Sequence, residues 1–267
     1  MAHPKTTSNT PTSDDSPRFA QERQARIAAT LREQGRVEVS ALAAEYGLSE
    51  DTIRRDLRLL ASRGLVQKTH GGAVALYTTA LPMAQRVDVR ATSKRAIARA
   101  AAERVQAHQA LFIDGGSTAL ALAQILASPD APRPLTIITA AFDVAALFAN
   151  DPTVQLVLAG GTWSHETREF FGDQAQATIR AHRADWAFLG ACALHQRAGL
   201  TSSLAGDAQV KRAMIESAAA CAVLADATKH DMVAPYAVAD LREIDLVISD
   251  AGPSWLAGTV REVVRAV

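Results

Sequence analysis

Two patterns in the 267-residue sequence predict an α/β protein in two parts: a small N-terminal winged helix-turn-helix and a larger α/β domain. Over the first third of the chain, three short helical stretches lead into two brief apolar runs punctuated by glycine. From Ser93 onward, short apolar strands alternate with helices of about 10–15 residues, the rhythm of a mostly parallel sheet covered on both faces. The expected divisions are a tail over 1–17, the winged module over 18–78, a linker over 79–92 and the α/β domain over 93–267.

Composition narrows the classes. Hydrophobic residues make up 48% of the chain, which suits a packed core, and no apolar run reaches the ~18 residues of a transmembrane helix. Residues up to Pro17 are mostly Ser, Thr, Pro and Asp; with no basic start and apolar core they read as a disordered tail rather than a secretory leader. The two cysteines, Cys192 and Cys221, lie in apolar segments as buried thiols do, and a cytoplasmic location without a membrane partner is expected. A formal net charge of zero hides a local imbalance: from Ile53 to His70 five basic residues stand against one acid, Asp56. A short basic patch on a neutral chain fits a modular DNA binder better than a general polyanion sponge.

The first helix, Phe19 to Gln34, carries Ile27, Ala28 and Leu31 on one stripe and meets Gly35 as a stop. A second is expected after Ser40 as its cap, packing Leu42 and Ala43 inward, with Gly47 as the turn and Leu48 plugging it. Ser49 caps the third, whose acidic first turn (Glu50, Asp51) suits the helix dipole and which Gly64 closes. At about 100° per residue, Ile53, Leu57 and Leu60 form its core face, and Arg54, Arg55 and Arg58 share the open arc. Arginine reads guanine bidentately and neutralises phosphates, so this arc suits a recognition helix in a major groove. The following LVQKTHGGAVAL predicts a β-hairpin wing, where Lys68 and His70 reach the DNA backbone.

The run VSALAAEYGLSEDTIRRDLRLLASRGLVQKTHGGAV resembles the helix-turn-helix of the DeoR family of bacterial regulators, over Arg23 to Thr78. The resemblance implies Thr52, Arg54 and Arg55 as base and phosphate readers. Ser40 and Ser49 at the helix starts, with Arg58, Lys68 and His70, complete the expected DNA contacts.

In open α/β sheets, ligands bind outside the carboxyl ends of the strands. There this sequence places Asp114-Gly115-Gly116-Ser117-Thr118, between a strand and a helix, so that amides and two hydroxyls can face an anion. Thr139 ends the next strand, Gly160 and Gly161 the third, and Asp226, Thr228 and Lys229 a later one. Neither the P-loop motif nor G-x-G-x-x-G occurs. The helix SKRAIARAAAERVQ is expected to start at Ser93 as cap, and PSWLAGTVREVV to close the chain as a helix.

The segments S-K-R-x-I-A, D-G-G-S-T, L-A-G-G, F-G-D, V-K-R-A-M and L-A-D-A-T-K, within Arg86 to Asp250, resemble the DeoR-family sensor domain, which is similar in fold to ribose-5-phosphate isomerase. The resemblance implies a DNA-binding transcriptional regulator, a repressor of carbohydrate or polyol genes whose operator binding a phosphorylated sugar or polyol modulates. It places the effector phosphate on Ser117 and Thr118, with Arg86, Lys94, Asp226 and Lys229 as further contacts, and Lys211 counted with them. Two positions depart from the family pattern: Thr139-Ala140-Ala141 replaces T-N-S, and Asp207 replaces a Glu. It also implies a homo-oligomer, dimer or tetramer, on double-stranded operator DNA. No cofactor is expected.

The competing reading is an isomerase-like enzyme with a DNA-binding appendage, and isomerisation needs a general base. By the same resemblance the base would precede Lys211, where Val210 stands, and the loop after the DWAFLG strand reads ACAL, without a carboxylate. No enzymatic activity is therefore expected. Metal chemistry is disfavoured as well, because the seven histidines are scattered and His165 beside Glu166 is the nearest approach to a ligand pair. A purely architectural DNA binder would have no use for an α/β domain of this size.

Overall fold

The computed structural model describes residues 20–34, 36–62, 66–69, 71–75 and 81–267, and the chain divides into two compact units. The first holds Arg36–Val74 with the preceding helix as far as Leu31, and the second Ala75–Val267. The expected tail, the stops at Gly35 and Gly64, and His70 lie outside the described residues.

In the first unit, α1 (Ala20–Gln34) buries Ile27 and Leu31, one turn apart on a single face. After β1 (Arg36–Glu38), α2 (Val39–Tyr46) buries Val39, Leu42 and Tyr46. Gly47 then takes the left-handed conformation (φ 62), so its amide turns back to the Ala43 and Ala44 carbonyls and ends the helix. In α3 (Glu50–Ser62), Ile53, Leu57 and Leu60 are buried as their spacing requires. The wing follows as β2 (Val66–Lys68) and β3 (Gly72–Ala75), in a three-stranded sheet of order β1-β3-β2.

Three details differ from the sequence reading. Strand β1 was unforeseen: three residues are too short to show alternation, and pairing with β3 (Val37 opposite Ala73) makes it a strand. Ser40 is no cap; α2 starts one residue earlier, and the Val39 amide donates to the wing carbonyl of Gly71 at 2.9 Å. Leu48 does not plug the turn but is exposed, because the apolar face closes over Leu42 and Tyr46 instead.

The second unit opens with α4 (Met83–Arg86), inside the stretch expected to link the domains, and α5 (Ala91–Ala102), which starts two residues before the expected helix. Helix α5 begins after Arg90 (φ 54), so Ser93 lies within its first turn and accepts from Arg90 Nη2 at 3.2 Å rather than capping. Then come β4 (Ala110–Ile113), α6 (Ser117–Leu126), β5 (Leu135–Thr139), α7 (Phe142–Phe148) and β6 (Val154–Leu158). A hairpin of β7 (Thr162–Ser164) and β8 (Glu169–Phe171) precedes α8 (Asp173–Arg180) and β9 (Ala184–Gly190). After β10 (Ala193–His195) and β11 (Gly199–Ser202), α9 (Ala205–Ser217) leads into β12 (Ala218–Leu224). The chain continues through β13 (Tyr236–Ala239), β14 (Leu246–Ser249) and β15 (Glu262–Arg265).

Seven of these strands form one sheet in the order β15-β14-β12-β9-β4-β5-β6, and every pairing in it is parallel. Side-chain alternation sends Phe112, Ala187, Leu189 and Val223 to one face, against Ile179 of α8 and Met214 of α9. Leu111, Ile113, Phe188 and Leu224 go to the other, against Ile97 of α5, Leu122 of α6 and Val144 of α7. The crossover helices thus cover both faces, as the near-continuous apolar strands demand.

The chain does not close as a helix. A 3-10 turn (Ser254–Leu256) and Gly258 (φ 84) interrupt it, and the Val-rich end pairs with β14 as the parallel edge strand β15. A small antiparallel sheet, β10-β11-β13, was also unforeseen and takes in part of the ACAL segment read as a loop. Among the described residues no helix is long and apolar enough to cross a membrane.

Candidate nucleic-acid interface and ligand pocket

On α3 the polar arc is built as its periodicity predicts. The Ser49 hydroxyl caps the helix, accepting from the Thr52 amide at 3.3 Å and lying 3.0 Å from the Thr52 hydroxyl. Arg54, Arg55 and Arg58 are all exposed, and Lys68 is exposed on the wing strand β2. Arg54 pairs with Glu50 at 2.6 Å and Asp51 at 3.2 Å on its own helix; such exposed pairs contribute little and open readily to a phosphate. Asp56 is not part of this surface. It is buried, accepting from Arg23 Nε at 2.6 Å and Gln24 Nε2 at 2.7 Å, so the acid set against the basic patch is neutralised beneath it.

The second unit holds a cavity at the carboxyl ends of β4 and β9, open to solvent at its mouth, the place where open α/β sheets bind ligands. One side is the start of α6: Gly115, Gly116, Ser117 and Thr118 line it. Gly116 is the N-cap and provides no side-chain hydrogen bond, so the first-turn amides have no acceptor within the helix. Besides Lys211, three cations line the same cavity: Arg86 from α4, Lys94 from α5 and Lys229 from a 3-10 turn (Ala227–Lys229). Arg86 is buried, and its Nε and Nη2 have no hydrogen-bond partner among the described residues. Lys94 donates to the Arg86 carbonyl at 2.5 Å; burial, opposed by Asp226 and reinforced by the neighbouring cations, brings its ammonium down to about 8.

The other side is acidic. Glu169, Asp207 and Lys211 line it, and oxygens of Asp114, Glu169 and Asp207 lie within 4.8 Å of one another. Lys211 Nζ donates to Asp114, and to Asp207 at 2.7 Å; burial works against its charge, but these carboxylates hold its pKa well above the ordinary lysine value. Glu169 is the reverse: burial, then the charges of Asp207 and Asp114, push its carboxyl up to about 8, so at neutral pH it keeps its proton. With Glu169 in this position, a Cβ on Gly115 would lie 1.7 Å from Glu169 Oε1, so a larger residue would displace that carboxyl. The hairpin carrying Glu169 is anchored by Arg168, which holds Asp143 through two nitrogens at 2.7–2.9 Å and stacks over Phe142 and Trp163.

The cavity thus gathers Arg86, Lys94, Gly115, Gly116, Ser117, Thr118, Lys211 and Lys229 of the expected set. Asp114 lies just behind, with Oδ2 accepting from Lys211 and from the Gly190 amide at 2.8 Å. Three others do not line it. Thr139 is fully buried and its hydroxyl accepts from the Ala141 amide at 3.0 Å, while Gly160 closes β6 elsewhere. Asp226 accepts from the Thr228 amide at 2.9 Å and hydroxyl at 2.5 Å, which builds the turn that presents Lys229. Its pKa is lowered although burial opposes this, because Lys229 and those hydrogen bonds favour the carboxylate.

The sequence reading missed Thr167 and Glu169 as cavity residues, and Cys192, expected as a buried structural thiol, is half-buried on the cavity wall.

Known proteins match both units. A family model described as the DeoR C terminal sensor domain matches residues 89–251, and one described as the DeoR-like helix-turn-helix domain matches 23–79. A putative aga operon transcriptional repressor of Escherichia coli O157:H7 is 29% identical over 86% of this chain and 86% of its own. The HTH-type transcriptional regulator GlpR of Haloferax volcanii is 33% identical over 86% of this chain and 89% of its own. The transcriptional repressor AccR of Agrobacterium fabrum is 31% identical over 92% and 95%. Among solved structures, ribose 5-phosphate isomerase A from Methanocaldococcus jannaschii aligns over 51% of this chain and 53% of that one, at 18% identity and a TM-score of 0.37.

Proposed function

The chain belongs to the DeoR family of DNA-binding transcriptional regulators, and we propose that it represses a carbohydrate or polyol operon under the control of a phosphorylated sugar or polyol bound in the cavity of its second unit. The observation that carries this reading is the buried Arg86 guanidinium, two of whose nitrogens lack a partner among the described residues, in one cavity with Lys94, Lys229 and the open start of α6. A buried cation with unsatisfied donors is unfavourable until an anion arrives, and a phosphate at a helix N-terminus answers both needs. The protein acts in the cytoplasm as a dimer or tetramer, with two α3 helices meeting half-sites about one helical turn apart. Effector binds one arrangement of the assembly better than another and shifts that population, which changes operator affinity.

As part of the same proposal, the chain acts as a receptor rather than an isomerase, because the position where its resemblance would put the base carries none. Val210, the residue before Lys211, is buried in the core and offers no base.

Replacing Ser117 and Thr118 together with Ala is expected to weaken effector binding at least about tenfold, since hydrogen bonds to charged groups contribute roughly 1.5–3 kcal/mol each. Operator binding without effector is expected to stay at wild-type strength. The check is an effector titration of operator binding by both proteins, and superimposable curves would remove the phosphate from the start of α6. On the DNA side, Arg55→Ala is expected to lower operator affinity by roughly 1–3 kcal/mol while leaving effector affinity unchanged. A variant that shifts operator DNA like wild type would show that the exposed arc of α3 is not the reading surface.

A further inference from the structure

The cavity has two unlike ends, and only the cationic one is explained by a phosphate. At the other, Glu169 is buried on the cavity wall, and Thr167, one turn of the hairpin away, is buried with its hydroxyl lacking a partner among the described residues. The Glu169 carboxyl and those of Asp114 and Asp207 have oxygens within 4.8 Å of one another, and the Lys211 ammonium among them is already engaged by Asp114 and Asp207. Resting on the reading of this cavity as the effector site, we propose that Glu169 is its specificity-determining residue. It hydrogen-bonds a hydroxyl on the carbon skeleton of the ligand, so that the site selects polyhydroxylated monophosphates and rejects ligands with a second anionic group.

Three features support this. A second phosphate or a carboxylate beside Glu169 would meet the carboxyls of Asp207 and Asp114, where Lys211 is engaged by both and the Arg86 guanidinium, whose charge also reaches Glu169, is already the partner of the first phosphate. A hydroxyl both donates and accepts, and so does a carboxyl that keeps its proton, as burial among like charges makes Glu169 do at neutral pH. Gly115 leaves room for that carboxyl beside the phosphate-facing loop, so one small ligand can touch both ends.

The test is calorimetric titration of the full chain, as wild type, Glu169→Ala, Glu169→Gln and the Ser117/Thr118 double Ala variant. The probes are inorganic phosphate, a panel of pentose, hexose and polyol monophosphates, 6-phosphogluconate and fructose 1,6-bisphosphate. In wild type, the best monophosphate is expected to bind at least about tenfold tighter than inorganic phosphate, and the two doubly anionic probes no tighter than it. Glu169→Ala should remove most of that tenfold advantage and leave inorganic phosphate within about twofold, whereas Glu169→Gln, still able to donate and accept, retains most of it. An unchanged monophosphate affinity in Glu169→Ala, or a bisphosphate that binds best of all, overturns the inference. If phosphate binds wild type and the Ser117/Thr118 variant alike, or does not bind at all, the effector-site reading itself fails; loss in that variant with none in Glu169→Ala sinks only the role of Glu169.

Discussion

Lys211→Met is expected to destabilise the second unit by about 3–5 kcal/mol, the usual consequence of removing one partner from a buried ion pair. Its ammonium is buried, donates to both Asp114 and Asp207, and is the strongest attraction holding the Asp114 carboxyl down against burial. Without it, two carboxylates and the nearby Glu169 stay buried with the cation that both aspartates contact removed. The Asp114 and Glu169 carboxyls, already raised by burial, lose the ammonium that lowers them and are raised further. The deficit is therefore greatest at neutral pH and shrinks as the pH falls and the groups take up protons. Denaturant titrations at neutral and mildly acidic pH, followed by a probe of the second unit, test both parts. A neutral-pH stability within about 1 kcal/mol of wild type would show that the network is not held as described.

The other large effect is expected in the first unit. Asp56→Ala leaves Arg23 buried without its carboxylate and Gln24 without its acceptor at 2.7 Å, a loss of about 3–5 kcal/mol by the same argument. A domain of about 55 residues buries only a modest core, so a loss of that size approaches its whole stability. The expected result is a chain whose second unit melts as in wild type while the first is largely unfolded at 37 °C and operator binding is abolished. Arg55→Ala provides the contrast, with a weakened DNA contact on an intact fold. Circular dichroism and operator binding on both variants separate the cases, and an Asp56→Ala protein with two wild-type transitions would refute the structural role.

These two residues also mark where sequence reasoning reached its limit. Periodicity assigned Ile53, Leu57 and Leu60 to the core of α3, and all are buried. The local charge balance set Asp56 against the basic patch, because a count along the chain cannot see that α1 delivers Arg23 and Gln24 to that carboxylate. At the far end of the chain, the pattern of PSWLAGTVREVV predicts a helix, and the open edge of β14 makes its Val-rich end a strand instead.

What the sequence by itself determined is the local and repetitive part of this protein. It carried the recognition helix with its serine cap and arginine arc, the alternation that makes a doubly covered parallel sheet, and the G-G-S-T start of α6. Each is encoded in a few neighbouring residues, where spacing and backbone preference act directly. Only the tertiary structure decided which polar strand ends share a cavity: Thr139, Gly160 and Asp226 looked equivalent to Ser117 and do not line it. It also brought Arg86, Thr167, Glu169, Asp207 and Lys229 together from separate elements. The physical reason is that charge and burial in a cavity depend on distances through space. Glu169 becomes a protonated acid and Lys211 a fixed cation only because the folded chain withdraws them from water beside each other.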